Sequence, residues 1–189
     1  VDMPLQHIAD DVLKRMNRKT SKDHIIKTLK NLRKSVPDIV IRTTFIVGFP
    51  GESDDDFNQL VDFMADIKFV KLGVFEYSKE EGTRAASLDE QIPDSIKEER
   101  KNEIMAIQSE ISAEILTKKI GKKLEVLIEE EVDQENYVGR TYMDSPEIDG
   151  VTYVHSAKNL EIGSFVQVDV VDSLDYDLVG EIIWILQIN

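Results

Sequence analysis

The chain contains no cysteine. Disulfides and thiolate-held metals are therefore excluded within it. Histidine is scarce as well: His7, His24 and His155 lie far apart and form no ligand motif. No apolar run approaches the roughly 20 residues needed to span a bilayer, and no signal peptide opens the chain. The first residue is Val1, inside an apparent strand, and not an initiator Met; a piece of a longer protein is expected. What remains is the composition of an ordinary globular protein, long enough at 189 residues for one or two domains with real cores.

The shortage of positive charge is uneven. The whole chain carries −14. Residues 120 to 189 hold four basic residues, Lys122, Lys123, Arg140 and Lys158, against fifteen acidic ones, a net of −11. Residues 1 to 119 hold 19 basic and 22 acidic residues, a net of −3. This shift predicts a domain boundary near residue 120. The pattern of elements changes there too. Before it, strands alternate with helices: the end of a strand at 1–5, a short helix near Ile8–Met16, and a helix capped by Ser21 with Ile25, Ile26, Leu29 and Leu32 at a 3.6 period. An apolar strand then follows at 39–47, a helix with Phe57, Leu60, Val61 and Met64 as its stripe, and a strand at 69–76. A long helix starts at Pro93-Asp94, with Ile104, Ile107, Ile111 and Ile115 on one face, and stops near Gly121. Alternation of this kind implies parallel βαβ units. Beyond residue 120, five short alternating segments at 123–129, 137–142, 151–154, 165–171 and 178–187 suggest a small closed barrel of the oligonucleotide-binding kind.

The most informative stretch is Thr44-Phe45-Ile46-Val47-Gly48-Phe49-Pro50-Gly51-Glu52, a strand running into a tight glycine turn and a capped helix. Ligands bind at such strand ends because backbone there approaches them closely. Ser53 reads as an N-cap with Asp54, Asp55 and Asp56 in the first turn, and Glu52 reads as part of that capping. The turn lacks a Walker lysine and is not a phosphate loop. Arg42 interrupts a buried strand and so should face a barrel interior or a carboxylate. Phe75 and Tyr77 alternate on a strand and should share a face. Two segments flank the turn: Asp2-Met3-Pro4-Leu5-Gln6-His7, with Leu13 to Arg18 after it, and Phe75-Glu76-Tyr77-Ser78, with Glu81-Gly82-Thr83 after it.

Taken in order, these motifs resemble the radical S-adenosylmethionine (SAM) methylthiotransferases, over nearly the whole chain. Gly139-Arg140-Thr141-Tyr142-Met143-Asp144-Ser145-Pro146-Glu147-Ile148-Asp149-Gly150 is similar to the signature of their RimO-type branch, which modifies an aspartate on protein twelve of the small ribosomal subunit. The resemblance implies an α/β fold. Residues 1–119 would be the C-terminal half of a partial (βα)6 radical SAM barrel with a long connecting helix, and residues 120–189 a five-stranded TRAM barrel. It further implies SAM as cofactor, contacted by Gln6, His7, Arg18, Arg42, Thr44, Gly48, Phe49, Pro50, Phe75 and Tyr77. Thr44 stands where the wider pattern has an aspartate. Two 4Fe-4S clusters are implied in the longer protein, ligated by upstream cysteines absent here, so this piece is expected to be inactive alone.

In such enzymes SAM is cleaved reductively to a 5′-deoxyadenosyl radical that abstracts hydrogen from an unactivated carbon, and a methylthio group is installed there. The implied setting is cytoplasmic, and the implied form is a monomer. The −11 charge favours a basic protein substrate over RNA, because phosphate contacts dominate RNA affinity and ribosomal proteins are basic. Arg140, Asp144, Glu147 and Asp149 are the candidate substrate contacts, with Asp172, Asp175 and Asp177 forming another acidic turn. A MiaB-like enzyme acting on a transfer RNA adenosine, and a non-catalytic ribosome-docking module, are the alternative readings.

Overall fold

The computed structural model describes residues 1–182. The chain forms two compact units, one running from Val1 to Ile111 and a second beginning at Ser112.

In the first unit, helix α1 (Asp10–Arg15) and helix α2 (Lys22–Ser35) precede strand β1 (Arg42–Val47). Helix α3 (Asp54–Ile67) and strand β2 (Lys71–Glu76) follow. Strands β1 and β2 run parallel in register from Arg42 opposite Lys71 to Val47 opposite Glu76. The opening segment joins the far edge of β1 through parallel bridges at Asp2–Arg42 and Gln6–Phe45. The sheet is thus two parallel strands with the opening segment bridged alongside β1, and α3 is the crossover between β1 and β2. Residues alternate across β1: Thr43, Phe45 and Val47 are buried, while Arg42, Thr44 and Ile46 are half-buried. Phe45 packs on Phe63 and Phe69, with centroids 6.3 and 5.9 Å away. That contact fixes the helix-facing side of the sheet. The buried stripe of α3 is Phe57, Leu60, Phe63 and Met64. Phe63 therefore takes the place expected for Val61, which is half-buried.

The expected capping at Ser53 is present as a full capping box. Ser53 Oγ accepts the Asp56 amide, and Asp56 Oδ2 accepts the Ser53 amide. At α1 the end is a Schellman motif. The Asn17 amide donates to Lys14 O, the Arg18 amide donates to Leu13 O, and Asn17 holds φ +58°. Helix α4 (Asp94–Thr117) begins after a 3-10 turn at Ala85–Ser87. Its buried positions in this unit are Lys97, Arg100, Ile104, Gln108 and Ile111. The expected stripe of four isoleucines is corrected in half its members, because Ile107 is only half-buried, as is Ile115 in the second unit.

The second unit holds a closed barrel of β3 (Lys123–Glu131), β4 (Asn136–Arg140), β5 (Thr152–His155), β6 (Phe165–Ser173) and β7 (Leu178–Ile182), in the order β3-β4-β5-β7-β6. All pairings are antiparallel except β5 with β7. Closure removes free edges. The last expected strand, 178–187, is described as far as Ile182; the rest of it lies outside the described residues. Val126, Ile128, Tyr137, Val154 and Val168 fill the interior. Glycines stand where the barrel leaves no room: a Cβ at Gly180 would collide with Val168 and the Asp169 backbone.

Tyr137 is the largest of these core side chains and only 1% exposed; its hydroxyl accepts the Leu160 amide at 3.2 Å. Tyr137→Ala should cost the barrel about 3–5 kcal/mol through cavity formation. Tyr137→Phe should cost only about 1 kcal/mol for the lost hydrogen bond. Urea denaturation followed by the loss of barrel signal measures both.

Candidate functional site

The C-terminal ends of the parallel strands meet three backbone segments in conformations rare for side-chain-bearing residues. Gln6 holds φ +73°. Its amide donates to Thr44 O at 2.9 Å and its carbonyl accepts the Ile46 amide at 2.8 Å, so both backbone groups are locked to β1. A left-handed non-glycine costs about 1–2 kcal/mol, and such strain concentrates where a side chain must be aimed. Gly48 and Gly51 hold φ +72° and +80°. A Cβ at Gly48 would also collide with the Lys97 side chain.

A cleft of about 610 Å³ opens between these segments, lined by Gln6, Arg18, Phe49, Tyr77, Ile46 and Arg84 among others. Its volume falls in the range of small-molecule sites. Phe49 and Tyr77 make an edge-to-face pair at 5.1 Å. The Tyr77 hydroxyl is buried and has no hydrogen-bond partner among the described residues, which is costly unless a ligand supplies one. Arg18 reaches the cleft from the Schellman turn, with Nη2 donating to Pro4 O at 2.7 Å. The structure therefore brings Gln6, Arg18, Phe49 and Tyr77 into one cleft. Of the other expected contacts, Thr44 and Arg42 are half-buried on β1, and Gly48 and Pro50 are buried in the turn. Phe75 is 62% exposed while Tyr77 is 9% exposed, so the pair expected to share a face differ in burial. Strand β2 ends at Glu76, and Tyr77 packs instead against Phe49 of the turn.

His7 and Glu52 sit behind the turn. Both side chains are fully buried. Ala9 donates its amide to His7 Nδ1 at 3.0 Å, which places the imidazole proton on Nε2. That nitrogen lies 3.7 Å from Glu52 Oε2, beyond hydrogen-bond reach. Burial lowers the His7 pKa to about 4, with Asp56 opposing and Arg100 reinforcing the shift. His7 is thus a neutral imidazole facing a carboxylate, and the contact is not an ion pair at neutral pH. Glu52 is pushed up from the ordinary carboxylate range by burial, against the pull of Arg100 and of the turn amides.

The expected capping role of Glu52 is corrected here: Ser53 and Asp56 make the cap. Glu52 Oε2 instead accepts the Phe49 amide at 3.2 Å, and Oε1 accepts Arg100 Nη1 at 2.8 Å. Arg100 also donates to Glu52 O and to Asp54 Oδ1, and it stacks 5.3 Å over Phe57. Lys97 lies 5.6 Å over the Tyr77 ring and pairs with Asp94. Sequence reasoning missed Glu52, Lys97 and Arg100. The signal was there, since Lys97, Arg100, Ile104, Gln108 and Ile111 follow a helical period; the two cations hid it.

In the second unit, Arg140 Nε donates to Glu129 Oε1 at 2.6 Å. Asp144 Oδ2 accepts the Thr141 amide and hydroxyl, and Asp149 Oδ2 accepts the Ser145 amide. These two carboxylates hold their own loop. Glu147, at φ +62°, is exposed.

No cysteine is present, and the described residues contain no group of three or more His, Cys, Asp or Glu able to hold a metal ion. The residues here do not fit an iron–sulfur cluster. Nor is any helix among them long and apolar enough to cross a membrane.

Residues 1–64 match the model of the radical SAM superfamily, and residues 120–183 match that of the TRAM domain. The fold is accordingly a segment of radical SAM α/β structure followed by a closed five-stranded TRAM barrel. The chain is similar to proteins named ribosomal protein uS12 methylthiotransferase RimO. It is 49% identical to that of Clostridioides difficile, over 97% of this chain and 41% of the relative. It is 51% identical to one from Clostridium botulinum, over 95% and 40%, and 50% identical to that of Carboxydothermus hydrogenoformans, over 97% and 42%. The chain spans about 41% of the length of these relatives.

Two outcomes are expected. Gly48→Ala should destabilise the first unit by about 2 kcal/mol or more, through left-handed strain and the Lys97 clash, read from denaturant midpoints. His7 keeps a lowered folded pKa of about 4 against an ordinary 6.5. The unfolded chain therefore takes up a proton first, and this group's contribution is lost as pH falls from 6.5 towards 4. His7→Gln should lose less stability than the parent between pH 7 and pH 5 in the same assay. An equal loss would show that His7 does not set the slope.

Proposed function

We propose that this chain is the C-terminal part of a radical SAM methylthiotransferase that adds a methylthio group to the β-carbon of an aspartate on ribosomal protein uS12, in the cytoplasm. The observation that carries the reading is the meeting of Gln6, Arg18, Phe49 and Tyr77 in a single cleft, in a chain about half identical to proteins bearing that name.

The cleft offers what SAM requires. The Gln6 amide suits a ribose hydroxyl, Arg18 suits the methionyl carboxylate, and Phe49 with Tyr77 forms an apolar wall for the adenosine. The orphaned Tyr77 hydroxyl adds a hydrogen-bonding group to that wall. Bound SAM supplies, on reductive cleavage, a radical able to take hydrogen from an unactivated carbon. The chain's own part is to bind, orient and exclude water. Two 4Fe-4S clusters belong to this reading, held by cysteines outside these residues. We place the boundary between the two functional parts at residues 119 and 120.

For the substrate, the barrel's charge decides between branches. A net of −11 over residues 120 to 189 repels phosphate and attracts a basic protein. Exposed Glu147 and the Arg140–Glu129 pair lie on the proposed docking side, with Asp144 and Asp149 shaping the loop between them.

The test is a titration of the 189-residue chain against purified uS12 and, separately, bulk transfer RNA, at low and physiological salt. Salt-sensitive binding to uS12 alone is expected. Binding to transfer RNA in its place would move the parent enzyme to the RNA-modifying branch.

A further inference from the structure

We propose that Glu52 is a positioning residue that ties the two walls of the cleft together, with Arg100 of α4 as its anchor. One wall is the segment carrying Gln6 and His7; the other is the turn carrying Phe49.

Hydrogen bonds run unbroken from Arg100 through Glu52 to Phe49, and His7 faces Glu52 at 3.7 Å. Arg100 grips Glu52 twice, at its carbonyl (3.2 Å) and at Oε1 (2.8 Å). Glu52 grips Phe49 twice: its amide donates to Phe49 O at 2.9 Å and its Oε2 accepts the Phe49 amide at 3.2 Å. Phe49 then presents its ring to Tyr77 and the cleft. From the other wall, the Ala9 amide fixes the His7 tautomer so that Nε2–H faces Glu52 Oε2. His7 directly follows Gln6, the strained residue that lines the cleft. Glu52 is therefore the one group among these that meets the turn, the first segment and α4. Nearby charges have partners of their own: Asp54 shares Arg100, Asp56 is held by Ser53, Arg15 pairs with Glu90 and Lys97 with Asp94. Glu52 is not among the residues that line this cleft. It acts through Phe49, and its effect is on the shape of the cleft.

The ligand readout rests on the reading of the cleft as a SAM site, so a second readout is independent of it. In the 189-residue chain, S-adenosylhomocysteine affinity is measured by calorimetry, and hydrogen exchange is followed at the Phe49 and Ala9 amides. Glu52→Gln should weaken S-adenosylhomocysteine by about tenfold or more, the scale of a lost charged hydrogen bond, and speed Phe49 exchange by a similar factor. Arg100→Met should do the same. Arg100→Lys, which keeps the charge, should restore part of both. The double variant Glu52→Gln/Arg100→Met should be no worse than the poorer single one, as expected for groups acting as a unit.

Unchanged Phe49 exchange in Glu52→Gln would overturn the proposal whatever the ligand does. So would unchanged S-adenosylhomocysteine affinity in a folded Glu52→Gln chain. If the parent chain fails to bind S-adenosylhomocysteine while Phe49 exchange still accelerates in Glu52→Gln, the SAM reading falls and the positioning role stands. Should Glu52→Gln fail to fold, Arg100→Lys carries the same comparison: unaltered exchange at Phe49 would overturn the role.

Discussion

The buried pairing of Glu52 with Arg100 is the constraint on which the rest of the first unit is arranged. Two charges removed from water are tolerated only when each finds several partners. Glu52 has the guanidinium and the Phe49 amide, with the neutral His7 imidazole facing it at 3.7 Å. Arg100 has the carboxylate, a carbonyl, Asp54 and the face of Phe57. Removing either member would strand the other, at a cost of about 3–5 kcal/mol. The pairing therefore dictates that α4 crosses the start of α3 with its cationic positions turned inward, and that the turn after β1 folds back onto its own following residue.

That constraint explains how the unit carries so much unusual backbone in one place. Gln6, Asn17, Gly48 and Gly51 all hold positive φ near the strand ends. Three of them are locked by hydrogen bonds at their sides: Gln6 to β1, Asn17 to the last turn of α1, and Gly51 to Glu90 O. Strain of this kind persists only where the surroundings over-determine it. The buried pair helps to over-determine it here, because the glycine turn cannot relax without releasing the Phe49 amide from Glu52.

Legibility in the sequence followed the chemistry of each signal. The Ser53 cap and the βαβ alternation were readable because capping and periodicity are local. The strands of the barrel were readable for the same reason, since short runs of apolar residues such as Val126 to Ile128 and Val168 are flanked by polar ones. Gln6, Arg18, Phe49 and Tyr77 came from the family resemblance, and spacing alone would not have joined residues from four segments. What escaped was tertiary. Lys97 and Arg100 occupy buried positions that a hydrophobic pattern assigns to apolar residues, and the acceptors of Arg100 in Glu52 and Asp54 lie 46 to 48 residues away in sequence. Glu52 stood beside a genuine cap and was absorbed into it. Four isoleucines make a stronger pattern than a mixed stripe, yet the helix buries Gln108, whose amide donates to Phe69 O, and leaves Ile107 half-buried.

Carboxylates play opposite parts in the two units, and this bears on what the acidic barrel is for. In the first unit the decisive carboxylate is buried and paired. In the second, the acids divide by position. Asp144 and Asp149 turn an oxygen to backbone amides of their own loop, and Asp177 turns one to the Val151 amide in the connection before β5. Glu125, Glu130, Glu131, Glu135, Glu147 and Glu161 stand exposed. The first group builds loop shape and would be needed whatever the barrel binds. The second gives the fold little, since exposed charges contribute little to stability, and it leaves a negative field that salt screens and that would favour a basic partner. The exposed glutamates, more than the aspartates of the loop, are therefore where recognition of a basic protein would be read.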